Sequence, residues 1–233
     1  MNARLRIRDV TAECGERAQG FVTIGEAASG PLQLPVVIIN GRDDGPILCL
    51  TAGVHATEYA PIDAVMRIVQ ELRPDGLRGA VIAVPVANMC MFEGRTGFVS
   101  PLDGLNLNKI GGGRRDGSLS EILAHVLLEE IIGVAQYHID LHAGDLGEML
   151  MPFAGFALTG QRRANGNRRS SLVGYPNHST FAVLYPRAKE SGNRTQHRRQ
   201  RSRRVGVAHD EAQQAGIIAD NAIPAWLGRM LAV

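Results

Sequence analysis

A histidine and a glutamate lie three residues apart in the segment GVHATE, and both residue types are common zinc ligands. They are His55 and Glu58. An apolar run precedes them and a helix-like pattern follows, so we expect both side chains at the carboxyl end of a strand, where open α/β sheets place ligand sites. The pair predicts one part of a metal site, because an imidazole nitrogen and a carboxylate oxygen at this spacing can face the same ion.

The segment HIDLH supplies a third candidate ligand, His142. The two-residue period of a strand places His138, Asp140 and His142 on one face. Two histidines and one glutamate leave a fourth position open for water, which is typical of catalytic zinc and favours zinc over other divalent ions. Asp140 is predicted to orient the imidazole of His142 from behind. The alternative for each histidine is an ordinary core or surface position, and for Asp140 a solvated acid at a strand end.

These side chains need strands to position them, and five segments predict strands. Residues 35–40, 46–52 and 79–87 are continuous apolar runs bounded by Gly, Asp and Pro, as in strands buried on both faces. Residues 134–142 return to a strand pattern, and residues 180–185 predict one more strand.

Two segments predict helices. In residues 58–72 apolar side chains recur at helical spacing, with Thr57 as the expected N-cap. Residues 118–132 form a second amphipathic pattern, in which Ser118 and Glu121 match a capping box. Helices that alternate with strands predict an α/β fold with a mixed, mostly parallel sheet flanked by helices.

Composition excludes several classes of protein. The chain has 233 residues, of which 45% are hydrophobic and 21% charged. This composition is not that of an intrinsically disordered or a fibrous protein. It lacks the run of about 18 apolar residues that a membrane helix needs, and its charged N-terminal segment has no apolar core of a signal peptide. We therefore expect a cytoplasmic protein. Cys14, Cys49 and Cys90 form no metal-binding or disulfide pattern.

The charge is divided unevenly along the chain. Residues 1–160 carry a net charge of −7, whereas residues 161–233 carry +9. The stretch 194–204 contains six arginines in eleven residues, without aromatic residues. We expect it to be a solvated segment; nucleic-acid binding is the less favoured alternative. The predicted division is an α/β catalytic core over residues 1–160 and an atypical, arginine-rich remainder over residues 161–233, partly disordered or an incomplete remainder of the same domain.

Four stretches in this order resemble one family of enzymes: GVHATEYAP, VPVANMCMFEGRTGFVSPLDGLNLNK, DGSLSEILAH and IDLHAGDLGEMLMPF. Together they are similar to the succinylglutamate desuccinylase/aspartoacylase family, relatives of the zinc carboxypeptidases. The resemblance implies a zinc carboxypeptidase-like fold and one Zn²⁺ per chain. It also implies hydrolysis of the N-acyl amide bond of a small acylated amino acid or related compound.

Residue roles follow from the same resemblance. The family's zinc ligands match His55, Glu58 and His142. Asn108 matches the asparagine that binds the substrate carboxylate, and Lys109 stands where the family commonly has arginine, so it keeps the charge but loses the bidentate fork. Arg95 matches the arginine that polarises the scissile carbonyl, with an ordinary loop arginine as the alternative.

The family's general base has no clear match. Glu190 and Glu211 are the only glutamates after Glu148, and neither stands in the expected sequence setting. Two hypotheses follow: an active zinc-dependent deacylase, or a family member that binds zinc but is inactive or truncated. A small acylated molecule is the expected partner in the first case.

Overall fold

The computed structural model of the protein describes residues 4–28 and 30–148, together with the backbone of residues 154–156 and 181–184. Its strands are β1 (Arg4–Ile7), β2 (Val10–Glu13), β3 (Arg17–Ala27), β4 (Gly30–Asn40), β5 (Asp43–Ala52), β6 (Arg78–Val84), β7 (Tyr137–His142), β8 (Ala154–Phe156) and β9 (Phe181–Leu184). The predicted strands at 35–40, 46–52 and 180–185 are confirmed, since they coincide with parts of β4 and β5 and with β9.

The described helices are α1 (Tyr59–Glu71), α2 (Met89–Gly94) and α3 (Leu119–His125). A π-helical turn over Val126–Ile131 continues α3, and short 3-10 turns lie at Pro74–Gly76, Leu107–Lys109 and Ile132–Val134. Both predicted helices are therefore present, although the second is α-helical only in its first half. Its capping box is formed, because the Glu121 carboxylate accepts the backbone N–H of Ser118 at 2.8 Å.

Seven strands form one sheet in the order β3-β4-β6-β5-β7-β9-β8. The central neighbours β6, β5 and β7 run parallel, as do β9 and β8. The pairs β3-β4, β4-β6 and β7-β9 are antiparallel. The mixed sheet is confirmed, and its parallel centre arises because α1 carries the chain from β5 over to β6.

Each face of the central sheet buries its own apolar layer. Leu50 and Ile139 face α1, where they pack with Val65 in one cluster. Cys49 belongs to the cluster on the opposite face, which includes Leu127 from the π-helical turn after α3. Because both faces are covered, β5 and β6 contain continuous apolar runs rather than alternating ones.

Three predicted boundaries were wrong by a few residues, each for a local reason. The strand predicted at 79–87 ends at Val84 because Pro85 cannot donate to a ladder. The strand predicted at 134–142 begins only at Tyr137, after a 3-10 turn. The N-cap of α1 is Glu58, not Thr57, since the N–H of Tyr59 bonds to the carbonyl of Thr57 rather than to a capping side chain.

Several predictions fall outside the described residues. They are the boundary near residue 160, the arginine-rich stretch 194–204, and the candidate bases Glu190 and Glu211. No helix within the described ranges has the length and apolar character that crossing a lipid bilayer requires.

Candidate metal centre

The site lies where β5 and β7 end side by side. These strands are parallel neighbours, with Ala52 paired to Leu141, so their carboxyl ends meet at one edge of the sheet. The chain leaves β5 through Gly53, whose φ of +66° favours glycine and whose Cβ would lie 3.1 Å from the backbone of Val86. The following turn carries His55 and Glu58, opposite the end of β7.

Three predicted ligands converge at this edge. One donor atom from each of His55, Glu58 and His142 lies within 4.8 Å of the others. The Glu58 carboxylate lies between the two rings, with Oε1 at 2.8 Å from Nδ1 of His55 and Oε2 at 2.9 Å from Nδ1 of His142. All three side chains are buried, with exposed fractions of 7, 4 and 5%. The carboxylate also accepts the backbone N–H of Ala143 at 3.1 Å.

The second nitrogen of each imidazole faces a side-chain oxygen. Nε2 of His142 lies 3.0 Å from Oδ2 of Asp140, and Nε2 of His55 lies 3.2 Å from Oδ1 of Asn106. Because Oδ1 of Asn106 also accepts the backbone N–H of Asn108 at 3.0 Å, that oxygen is the acceptor in both contacts. Each ring therefore offers Nε2–H to an oxygen and turns Nδ1 toward Glu58.

This arrangement fits a cation. A carboxylate only accepts hydrogen bonds, so a positive group, a proton or a metal ion, must lie between each Nδ1 and Glu58. Two imidazole nitrogens and a carboxylate oxygen are ligands that zinc prefers, and oxygen partners on the far side of ligating histidines are usual at such centres. His55, Glu58 and His142 would hold the ion.

The charges of the site shift its pKa values. Burial alone would raise the pKa of Glu58, but hydrogen bonds from His142 and His55 outweigh it and hold the pKa below its ordinary value. Burial opposes charge on His142, yet the charge and hydrogen bond of Asp140, with those of Glu58, raise its pKa to about 10. Without a metal this ring is protonated at neutral pH, so a metal ion at Nδ1 would displace a proton.

Asp140 lies behind His142, as the sequence predicts. Its side chain is 13% exposed. Burial would raise its pKa, but the charge and hydrogen bond of His142 and further contributions from His138 and Thr51 lower the pKa instead. The carboxylate therefore stays ionised and can accept the Nε2–H of His142.

The residues predicted to bind substrate are exposed. Asn108 and Lys109 lie on the 3-10 turn at Leu107–Lys109, which the Asn106 side chain connects to His55. Arg95 is the exposed C-cap of α2, in the left-handed conformation with φ of +50°. Asn108 is connected to His55 only through Asn106, whose Oδ1 contacts both residues, and the roles of Asn108, Lys109 and Arg95 stay predictions.

Sequence reasoning missed three side chains at the site. Asn106 had a signal, because it stands two residues before Asn108 in the motif NLN. Thr51 had none, because only the register between β5 and β7 shows that it pairs with Asp140. Phe98 had none: its ring lies edge-on to His55 with centroids 5.1 Å apart, although the two are far apart in sequence.

Comparison with known families gives a match over more than half of the chain. The model of the succinylglutamate desuccinylase/aspartoacylase catalytic domain matches residues 44–169. The described part of this range contains β5, α1, β6, β7 and all the residues around the candidate centre.

Individual relatives match over shorter parts of their length. N-alpha-acetyl-L-2,4-diaminobutyric acid deacetylase of Halomonas elongata is 36% identical over 131 residues, which cover 55% of this chain and 37% of that protein. Succinylglutamate desuccinylase of Pseudomonas paraeruginosa is 30% identical over 130 residues, 52% of this chain and 38% of that protein. A crystal structure of a succinylglutamate desuccinylase/aspartoacylase from Rhodobacter sphaeroides aligns with a TM-score of 0.55 and 27% identity, and covers 65% of this chain and 46% of that one. The chain thus matches less than half of the length of each of these relatives.

Proposed function

The chain belongs to the succinylglutamate desuccinylase/aspartoacylase family, and from that premise we propose that it is a zinc-dependent deacylase. The proposed reaction is hydrolysis of the N-acyl amide bond of a small acylated amino acid. One water is consumed, the carbonyl carbon–nitrogen bond breaks, and a carboxylate and a free amine result.

The observation that carries the proposal is the convergence of His55, Glu58 and His142. Their donor atoms lie within 4.8 Å, and both imidazoles turn Nδ1 to the carboxylate while an oxygen holds Nε2. A buried group of two histidines around one carboxylate, at the carboxyl ends of parallel strands, is suited to a metal centre that keeps one position open.

Zinc bound by these residues would supply a Lewis acid that lowers the pKa of a coordinated water and polarises a carbonyl group. The protein's own contribution is to hold the donors. Asp140 keeps the proton of His142 on Nε2, and Asn106 does the same for His55. Burial of the three side chains keeps bulk water from competing for the donor atoms.

Two of the three residues proposed to contact the substrate are cations. Lys109 and Arg95 are exposed, and together with the Asn108 amide they provide donors for a carboxylate. We propose that Asn108 and Lys109 bind the substrate carboxylate and that Arg95 stabilises the oxyanion. The names of the Halomonas and Pseudomonas relatives suggest N-acetyl-diaminobutyrate and N-succinylglutamate as first test substrates.

We also propose that residues 161–233 continue the same domain. The support is β9, residues 181–184, which lies in the sheet between β7 and β8. The general base, which would take the proton of the attacking water, stays unassigned. Glu190 and Glu211, the two glutamates that follow Glu148, are the first residues to test for this role.

The test is to measure zinc content and turnover on the same full-length preparation. Zinc per chain is counted by mass spectrometry, and release of free amine is followed with the two named substrates. We expect about one zinc, and turnover that a chelator abolishes and added zinc restores. Glu190→Gln and Glu211→Gln should keep the zinc; loss of turnover in one of them would identify it as the base, and full turnover in both would exclude both residues.

The variant His55→Ala provides the internal control. It should lose zinc and turnover together if the chain is an active enzyme, and zinc alone if the chain is an inactive relative. One zinc without turnover supports the inactive alternative. Absence of zinc from the wild-type protein would reject the metal centre itself.

A further inference from the structure

A line of polar side chains continues from the candidate metal centre into the core of the sheet. Oδ2 of Asp140 faces His142, and its other oxygen, Oδ1, accepts the hydroxyl proton of Thr51 at 2.6 Å. The Thr51 oxygen in turn lies 2.9 Å from Nε2 of His138. Thr51 and His138 are 2% and 5% exposed. The mechanism proposed above uses neither of them.

The pairing of β5 with β7 places these side chains next to one another. Thr51 pairs with Asp140, and Cys49 pairs with His138, in the parallel register of β5 and β7. Because side chains two residues apart on a strand share a face, His138, Asp140 and His142 all lie on the Thr51 side of the sheet. β5 and β7 each have a hydrogen-bonded neighbour strand on both sides, so the backbone that carries these side chains is fixed in the sheet.

The donated protons of the line all point toward the Asp140 carboxylate, from both of its ends. An ionised carboxylate only accepts, so the single hydroxyl proton of Thr51 goes to Asp140. The Thr51 oxygen is then the acceptor toward His138, which must carry its proton on Nε2. At the other end, Asp140 accepts the Nε2–H of His142, and Nδ1 of His142 is the nitrogen left for the metal.

We propose that Thr51 is a positioning residue of the metal centre, and that it holds the Asp140 carboxylate so that His142 presents Nδ1. The inference rests on the proposed zinc site and adds to it a residue that touches neither metal nor substrate. Without the hydroxyl, Oδ1 of Asp140 loses a short hydrogen bond in a place where little water can replace it. The carboxylate can then rotate, and the Nε2–H of His142 loses its fixed partner.

The experiment compares Thr51→Val, which has nearly the same shape without the hydroxyl, with Thr51→Ser, which keeps the hydroxyl. Val81→Thr is the matched control, because it changes a fully buried residue of similar size in the cluster on the opposite face. Each full-length protein is titrated with zinc against a competing chelator, and with Co²⁺ while the visible absorption is recorded. Both readouts report the metal centre rather than turnover.

We expect Thr51→Val to weaken zinc binding by about 10-fold and to alter the Co²⁺ absorption bands. Loss of a direct outer partner such as Asp140 costs about 10–100-fold, and Thr51 acts through Asp140, so its effect should lie at the lower end. Thr51→Ser should keep the wild-type zinc affinity and Co²⁺ absorption bands. Val81→Thr should leave both unchanged, even if it lowers the free energy of unfolding. If the valine variant does not fold, Thr51→Ala removes the hydroxyl without a shape conflict and should give the same result.

The outcomes separate this inference from the proposed function. If the wild-type protein binds no zinc, the proposed metal centre fails and the inference fails with it. If the wild-type binds zinc and the valine or alanine variant binds it equally well with the same Co²⁺ spectrum, only the role of Thr51 is overturned. Equal losses in Thr51→Val and Val81→Thr would show a general effect of core packing and would also overturn it.

Discussion

The two halves of the candidate site differ in how firmly the fold holds them. The half proposed to hold the metal, called the metal half, consists of His55, Glu58 and His142, which are buried and contact one another through Glu58. The half proposed to bind substrate, called the substrate half, contains Asn108 and Lys109, which lie exposed on a 3-10 turn of three residues. One half depends on the ends of central strands, the other on the loop that follows α2.

The difference matches two physical needs. A metal centre requires donors in fixed positions, because every degree of freedom left to a ligand must be lost on binding. A substrate has to enter and leave, so the groups that bind it must be accessible. The Asn106 side chain joins the two, since its Oδ1 contacts both His55 and the backbone N–H of Asn108.

The strongest way to break the metal half is Glu58→Ala. The change removes a proposed ligand and leaves two histidines and the N–H of Ala143 without their shared acceptor. We expect zinc affinity to fall by more than about 100-fold, because even the loss of an outer partner costs about 10–100-fold. Chelator competition measures it. Glu71→Ala, at the exposed end of the same helix, is the control and should bind zinc normally.

The connection between the halves is tested at Asn106. Asn106→Leu removes the oxygen that holds Nε2 of His55 and the N–H of Asn108, so zinc affinity should fall by about 10-fold and KM should rise. Asn106→Asp keeps an acceptor oxygen and should retain most of both properties. Zinc titration and steady-state kinetics check the pair. Equal behaviour of the two variants would mean that this oxygen does not couple the halves.

A change confined to the substrate half should leave the metal in place. Lys109→Ala removes an exposed cation, and we expect KM to rise by about 10-fold with unchanged zinc content, because a hydrogen bond to a charged group contributes about 1.5–3 kcal/mol. Lys109→Arg keeps the charge and adds a bidentate fork, so it should lower KM below the wild-type value. A loss of zinc in either variant would contradict the separation of the halves.

The smallest effect is expected where the loop of the substrate half is anchored to α3. Asp103 accepts the backbone N–H of Ser120 at 2.7 Å and its hydroxyl at 2.8 Å. Burial would raise the pKa of Asp103, but the hydrogen bonds from Ser120 lower it below its ordinary value. A lowered pKa stabilises the fold above pH about 4 and loses this contribution as the pH falls further.

Asp103→Asn should therefore lower the free energy of unfolding at pH 7 by about 1 kcal/mol, a modest value because the carboxylate is only partly buried. The gap from the wild type should close as the pH drops below about 4. Urea unfolding at a series of pH values measures both. A difference that is the same at every pH would show that the carboxylate charge contributes nothing here.

Local sequence patterns were enough to predict the main strands of the core and the turn that carries the candidate site. The apolar runs that became β4, β5 and β6 are continuous because both sheet faces are covered, and the turn after β5 is marked by Gly53 and the histidine–glutamate pair. The alternation in HIDLH was also sufficient to place Asp140 beside His142. These features depend on residues close together in the chain.

Most of the features that the sequence did not predict depend on contacts between residues far apart in the chain. No local pattern shows that the Asn106 side chain reaches His55, or that Thr51 lies between His138 and Asp140. One miss had a local cause instead: the strand ends after residue 84 because of Pro85, a signal that the continuous apolar run obscured.

The sequence by itself determined the residue types of the site and the elements that carry them, because ligand chemistry and hydrophobic periodicity are written in short segments. Only the tertiary structure decided which nitrogen of each imidazole faces Glu58 and which oxygen holds the other. That choice depends on the register between β5 and β7 and on the path of the loop after α2. Both are set by packing between distant parts of the chain.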